Sequence, residues 1–311
     1  MTFIKPQNAE LTALFAAFIH TIEIGTKASP VPVETIAKKP YMSKAPFIRS
    51  EKIHYVINPN KFKESGKIPN LDEFLEVFDQ IILDMGLTNN EWELLRFDLA
   101  IDTFASFDDL FKINCYLKEL YAFKIGAHNS YRTIGDDMQK RSSLVRKNDC
   151  ELEIYNKYIE SRDKCLPQTR IEFRRKRLNR VNKASCYKER IISTIDQIEN
   201  DILSVPTLID QFDDLKRGEL LEAFYIESTP EREGRIKNLS DFTMKFSDHI
   251  FSRNSLLYLY CKTNQKNSIA NFNWWLSYLR KSKTNIRLLT QNDMRKYCKR
   301  ICSAIDNYVK S

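Results

Sequence analysis

Glycine is scarce in this chain, with seven residues in 311. No Gly-x-x-x-x-Gly-Lys cradle is present, which argues against a P-loop nucleotide hydrolase. Histidine is scarcer still: His20, His54, His128 and His249 are the four in the sequence. None stands in a His-x-His or His-Glu-x-x-His pattern, so a histidine-built metal site is not expected, and the histidines read as packing or surface residues. The seven cysteines are scattered singly, without a Cys-x-x-Cys pair. An odd, unpaired set supports neither a disulfide framework nor structural zinc, and implies reduced, packed thiols. Long apolar runs are missing too, since no stretch reaches the ~18 residues of a spanning helix. The opening MTFIKPQNAELTALFAAFIHTIE has an apolar patch, but Glu10 precedes it and no small-residue cleavage site follows, unlike a secretory signal. The expectation is a cytoplasmic protein with no membrane partner.

What the chain does have is positive charge, unevenly spread. The net charge is +8, and hydrophobic residues make up 42% of a composition ordinary for a globular protein. Residues 161–190 hold eleven Lys or Arg against three acids, a surplus equal to that of the whole chain. Such a segment suits a polyanion, nucleic acid first among them, or else forms a solvated charged face.

Periodicity divides the chain near residue 180. FIRSEKIHYVIN (47–58) reads as a strand or hairpin arm ending at Asn-Pro. LDEFLEVFDQIILDM places Leu71, Phe74, Leu75, Phe78, Ile81, Ile82 and Met85 at helical spacing, with Gly86 as its stop. A strand follows at about 93–104, then a helix opened by Ser106 and Asp109. Further strands are expected around Tyr131, at 150–158 and at 168–177. From about 188 onward the pattern is helical, ending in a helix capped by Thr290 and Asp293, with Met294, Cys298, Ile301 and Ile305 as its apolar stripe. The fold class expected is α+β: an antiparallel-rich sheet domain with helices on one face over 1–180, and a helical, basic DNA-recognition or accessory domain over 181–311. Trp274 and Trp275 read as helix core rather than as a base-stacking platform.

Two segments carry unusual chemistry. In RFDLAID (96–102), alternation places Arg96, Asp98, Ala100 and Asp102 on one face and Phe97, Leu99 and Ile101 on the other. In RIEFR (170–174), Arg170, Glu172 and Arg174 share a face. In CELEIYNKY, Glu151, Glu153, Tyr155 and Lys157 do so. Asp98 and Asp102 lie roughly 13 Å apart at ~3.3 Å per residue, so one ion cannot use both. If these strands are neighbours, one sheet face gathers carboxylates suited to Mg²⁺ or Mn²⁺, arginines suited to phosphates, and a tyrosine able to attack a phosphodiester. The alternative is a set of cross-strand ion pairs on a wet face.

The order KIHYVINPNKF, helix, RFDLAID, helix, tyrosine region, EIYNKYIE and TRIEFR resembles rolling-circle replication initiators. It is nearest to the Rep_trans group of Gram-positive plasmids and its kin among integrative-element relaxases and filamentous-phage replication endonucleases. The resemblance spans about residues 45–180. It implies a nicking–joining enzyme that binds double-stranded origin DNA and attacks one strand with a tyrosine beside a carboxylate-held metal. A 5′-phosphotyrosine and a 3′-hydroxyl primer result. On this chain it implies Asp98, Asp102 and Glu172 as metal-site acids and Lys157 as a charge partner for the phosphate. Tyr131 stands first for the nucleophile, with Tyr155 and Tyr158 after it, and a packing role for Tyr131 remains open. The Tyr-then-Gly-x-x-x-Ser stretch of the plasmid proteins has no counterpart in SSLVRKNDC. Arg96, Arg170, Arg174, Arg175, Lys176, Arg177 and Arg180 would contact double- or single-stranded DNA, and Arg295 and Lys299 of the last helix would add to sequence choice. Host replication proteins and a second copy of the chain are further partners the resemblance allows. The alternative functions are a non-catalytic origin-binding initiator or DNA-binding regulator and, more remotely, an RNA-binding protein.

Overall fold

The computed structural model describes residues 15–62, 67–88, 91–127, 132–134, 142–157, 168–178, 187–231, 233–246, 253–263, 269–281 and 290–310. Tyr131, Tyr158, Arg180, His128 and His249 lie outside them, as does the side chain of Asp109. Eight strands form one antiparallel sheet: β1 (Phe15–Thr26), β2 (Phe47–Arg49), β3 (Lys52–Ile57), β4 (Trp92–Thr103), β5 (Arg132–Ile134), β6 (Ser142–Lys147), β7 (Cys150–Asn156) and β8 (Thr169–Lys176). Their spatial order is β2-β3-β1-β4-β8-β7-β6-β5. Between strands come α1 (Val33–Ala37), α2 (Leu71–Asp84) and α3 (Phe107–Lys124). After the sheet follow α4 (Tyr187–Ser204), α5 (Ile209–Glu227), α6 (Leu239–Lys245), α7 (Arg253–Thr263), α8 (Ile269–Lys281) and α9 (Gln291–Lys310). The class is α+β, with a mainly helical C-terminal region.

Local chemistry explains the boundaries. Asn70 caps α2 by accepting the Glu73 N–H at 2.8 Å, and Gly86 takes the left-handed φ of +69° that stops it. At α9 the box is reciprocal: Asp293 N–H donates to Thr290 Oγ1 at 3.1 Å, and Thr290 N–H donates to Asp293 Oδ2 at 2.9 Å.

Two strands were not anticipated from sequence. FAAFIHTIEIGT, read only as an apolar patch, is β1, paired with β3 and β4 at the middle of the sheet. SSLVRK is β6, joined to β7 through Asn148 in a positive-φ turn. The pairing of β1 with β4 shifts register between Ile19 and Thr21, which leaves His20 as a bulge residue.

Apolar packing falls mainly into two clusters. The larger joins Ile19, Leu99, Ile101, Ile171 and Phe173 of the sheet to α2, α3, α4 and α9; the smaller joins α6, α7 and α8. The stripe of α9 (Met294, Cys298, Ile301, Ile305) therefore belongs to the sheet's own core, while Arg295, Lys296 and Lys299 point to solvent. Trp275 packs in the smaller cluster, but Trp274 is 72% exposed and stacks on Tyr278, which corrects the reading of both tryptophans as core. Among the described residues, no helix is long and apolar enough to cross a membrane.

Because Ile301 is fully buried against the sheet, Ile301→Ala should destabilise the chain by about 2–5 kcal/mol. Urea denaturation should show one transition moved to lower denaturant, with sheet and α9 signals melting together. Loss of helix signal before the sheet melts would mean that α9 is not part of that core.

Candidate metal centre on the polar sheet face

The register places the three charged segments side by side. Asp98 lies opposite Arg174, Ala100 opposite Glu172 and Asp102 opposite Arg170 across β4 and β8. On the far side of β8, Glu151, Glu153 and Tyr155 face Arg174, Glu172 and Arg170. The polar face anticipated from alternation is thus a continuous patch over three adjacent strands. It is not a wet face: Asp98, Asp102, Glu172 and Arg170 are 1%, 2%, 1% and 4% exposed.

Buried charges must be paired, and these are. Arg170 grips Asp102 with Nε at 2.6 Å and Nη2 at 2.9 Å, and Lys67 reaches the same carboxylate. Arg96 forks onto Asp98, with Nε at 2.7 Å. Arg174 donates to Glu172 at 2.7 Å, contacts Glu153 and lies 3.6 Å from Asp98. Lys176 donates to Glu151 at 2.7 Å. Tyr155, buried, donates its hydroxyl to Glu172 Oε1 at 2.8 Å, and the Lys157 ammonium sits 5.8 Å from the Tyr155 ring centre.

The β1 bulge adds a residue that the sequence reading set aside. His20 Nδ1 lies 3.1 Å from Glu172 Oε1. His20, Asp98 and Glu172 each bring one ligand-type atom within 4.8 Å of the others, the one such group found among the described residues. His20, set aside in the sequence reading, thus takes its place beside two of the named acids in a candidate metal-holding group. No local motif marks it, because its partners come from β4 and β8, some 80 and 150 residues away. Asp102 takes no part in this group, in keeping with the span that separates it from Asp98 along β4.

The two acids differ electrostatically. Burial pushes the Asp98 carboxyl up from its usual range, and Arg96 and Arg174 only partly offset that. Burial acts on Glu172 in the same direction. There the His20 hydrogen bond and the charges of His20, Arg174 and Arg170 prevail, and they hold Glu172 well below the usual carboxylate range. Glu172 is the ready anion of the pair.

One imidazole nitrogen and two carboxylates form a donor set that fits a hard or borderline divalent cation such as Mn²⁺ or Mg²⁺. Asp98 and Glu172 are paired here with Arg96 and Arg174, and a bound dication would add the positive charge that draws a phosphodiester.

The basic residues separate by face. Arg175 points to the helix side, where its guanidinium donates to Tyr121 at 2.8 Å and to Asp201 of α4 at 2.6 Å. It is 6% exposed, so its grouping with Lys176 and Arg177 as a backbone-tracking run is corrected. Arg177 is exposed, adopts φ +56° and lies 3.3 Å from Asp149. His54, expected to pack, does so between Glu23, at 2.8 Å, and Phe47.

Two measurements follow. Mn²⁺ titration followed by electron paramagnetic resonance should give one site, weakened roughly tenfold or more in His20→Ala or Glu172→Gln. Asp102→Asn should leave that site in place; equal loss in all three variants would point to a general collapse of the face. Arg175→Gln should cost on the order of 1–3 kcal/mol by removing the guanidinium partner of buried Tyr121 and one of the two cations at Asp201, which Lys124 also meets, read by denaturation.

No family model matches the sequence, and no curated protein matches it. Among solved structures the chain is similar to one described as the structure of a rolling circle replication initiator protein from Geobacillus stearothermophilus. Identity is 13% and the TM-score 0.31, over 82% of this chain and 99% of that one, a level of likeness from which no residue correspondence is drawn.

Proposed function

We propose that this protein initiates replication or transfer of a mobile element by nicking one strand of its origin DNA. The observation that carries the proposal is the convergence of His20, Asp98 and Glu172 within 4.8 Å on a sheet face lined by arginines. His20, Asp98 and Glu172 would hold a divalent cation, whose chemistry is to withdraw charge from a phosphate oxygen. Arg96 and Arg174, which share the acids of this centre, would position the adjoining phosphates, while Arg170, buried and forked onto Asp102, would act by holding that acid in place.

In the reaction, a tyrosine phenolate oxygen attacks the scissile phosphorus. The bond to the 3′-oxygen breaks, a 5′-phosphotyrosine ester forms, and the departing 3′-oxygen takes up a proton to become a hydroxyl. Tyr131 remains the first assignment for that nucleophile, followed by Tyr155 and Tyr158. Tyr155 holds the Glu172 carboxylate by a hydrogen bond, which supports an orienting role for it over a nucleophilic one. Lys157, beside the Tyr155 ring, would offset charge on the phosphate. Lys176, Arg177 and Arg180, with Arg295 and Lys299 on the outer face of α9, would contact the DNA backbone and contribute the salt-dependent part of affinity. In this reading residues 1–180 supply the chemistry and 181–311 the recognition surface, although α4 and α9 also complete the sheet's core.

A second reading, a non-catalytic origin-binding initiator, is supported by the existing pairing of both acids with Arg96 and Arg174. The two readings separate in a cleavage assay on supercoiled and single-stranded DNA carrying the element's origin, with Mn²⁺ or with chelator, resolved on a denaturing gel. The nicking reading expects a metal-dependent protein–DNA adduct, absent in Glu172→Gln and in Tyr131→Phe. An adduct that survives Tyr131→Phe moves the nucleophile to Tyr155 or Tyr158. Salt-sensitive binding with no cleavage under any condition establishes the second reading.

A further inference from the structure

On the opposite side of the sheet, α3, α5 and α6, with Ser255 of α7, line a partly open pocket of about 440 Å³ at the junction of the two apolar clusters. Its side is fixed by Tyr121 of α3, which packs edge-on against Phe173, the neighbour of Glu172 that points away from the polar face. The size falls within the roughly 300–1,000 Å³ of small-molecule sites.

The walls are aromatic, with Phe212, Phe242 and Phe246 joined by Tyr116. Set into them are Glu119, Asp213, Glu219 and one cation, Lys216. Lys216 is taken by Glu219, to which it donates at 2.6 Å. Asp213 is 2% exposed and accepts a hydrogen bond from Tyr116 at 3.1 Å. Among the described residues no hydrogen bond reaches Glu119. Burial pushes its carboxyl up from the usual range although Lys216 and Lys118 are near. Among the residues that line this apolar, aromatic-walled space, acids thus exceed cations by two, with Lys118 near Glu119 outside the lining. Negative charge set in such walls favours a positively charged guest, which gains from both the carboxylates and the ring faces.

We propose that this cavity is a binding site for a small organic cation with an apolar body, an aryl or alkyl ammonium or amidinium compound. The apolar body fills the space between the phenylalanine rings, and the cationic end faces Glu119 and Asp213. The site is separate from the polar sheet face and does not depend on the nicking chemistry proposed above.

The test is calorimetric titration of the full chain with benzamidine, and with benzamide as a neutral compound of nearly the same shape. Benzamidine should bind at least tenfold more tightly than benzamide. Glu119→Gln, which keeps the side-chain volume, should remove most of that preference while thermal unfolding stays that of a folded chain. Asp98→Asn, across the sheet, should leave the binding unchanged. Equal affinity for the two compounds, no binding of either, or a benzamidine preference that persists in Glu119→Gln would each overturn the proposal.

Discussion

The structure turns on the arginine forks that β8 extends to its neighbours. Arg170 and Arg174 alternate with Glu172 along one face of the strand, and each reaches a carboxylate on β4 or β7. Ionised groups this deeply buried are costly to desolvate, and only close, hydrogen-bonded partners offset that cost. The pairing also fixes register. A one-residue slip of β8 would turn Arg170, Glu172 and Arg174 into the apolar space occupied by Ile171 and Phe173, and would send those two to the polar face. The same interactions that prevent the slip hold Asp98 and Glu172 close enough to share a ligand.

Much of this was legible because β4, β7 and β8 alternate cleanly. RFDLAID, ELEIY and RIEFR each sort into a charged and an apolar row, and the rows meet as the alternation implied. What alternation does not report is burial. Polar rows are normally the wet ones, yet here a sheet face of ion pairs is covered, and Asp98 is as buried as Phe97. β1 was hidden for a related reason. It is buried on both faces over most of its length, so its sequence lacks a polar row, and the bulge at His20 breaks what period remains. A histidine whose partners lie on β4 and β8 has no local signature, so the centre could be read only in part, through its two carboxylates.

The helical region shows a second limit of pattern reading. The stripe on α9 was evident from its spacing, but a stripe says that a face is covered, not by what. The cover is β1 and α4, so the last helix in sequence completes the first core in space. Arg175 makes the same point for charge. In the run RRKR it looks like one of several equivalent cations, yet strand geometry places it opposite its neighbours and next to Tyr121 and Asp201. Even within a basic run, alternation decides which residues meet solvent.

The exposure of the polar face sets the direction from which a ligand can reach it. Asp102 is closed over by Arg170 and Lys67, and Tyr155 stands across the Glu172 carboxylate from the β7 side. His20 is different: its side chain is 27% exposed while Glu172 beside it is 2% exposed. The bulge therefore supplies the third donor of the centre and also its opening. A regular β1 would carry Thr21 directly on from Ile19 opposite Asp98, with no imidazole beside Glu172. Asp98 and Glu172 would then meet only arginines and the Tyr155 hydroxyl, and the face would be a structural ion-pair network. One extra residue in a central strand separates that outcome from a face on which His20, Asp98 and Glu172 bring ligand-type atoms within 4.8 Å of one another.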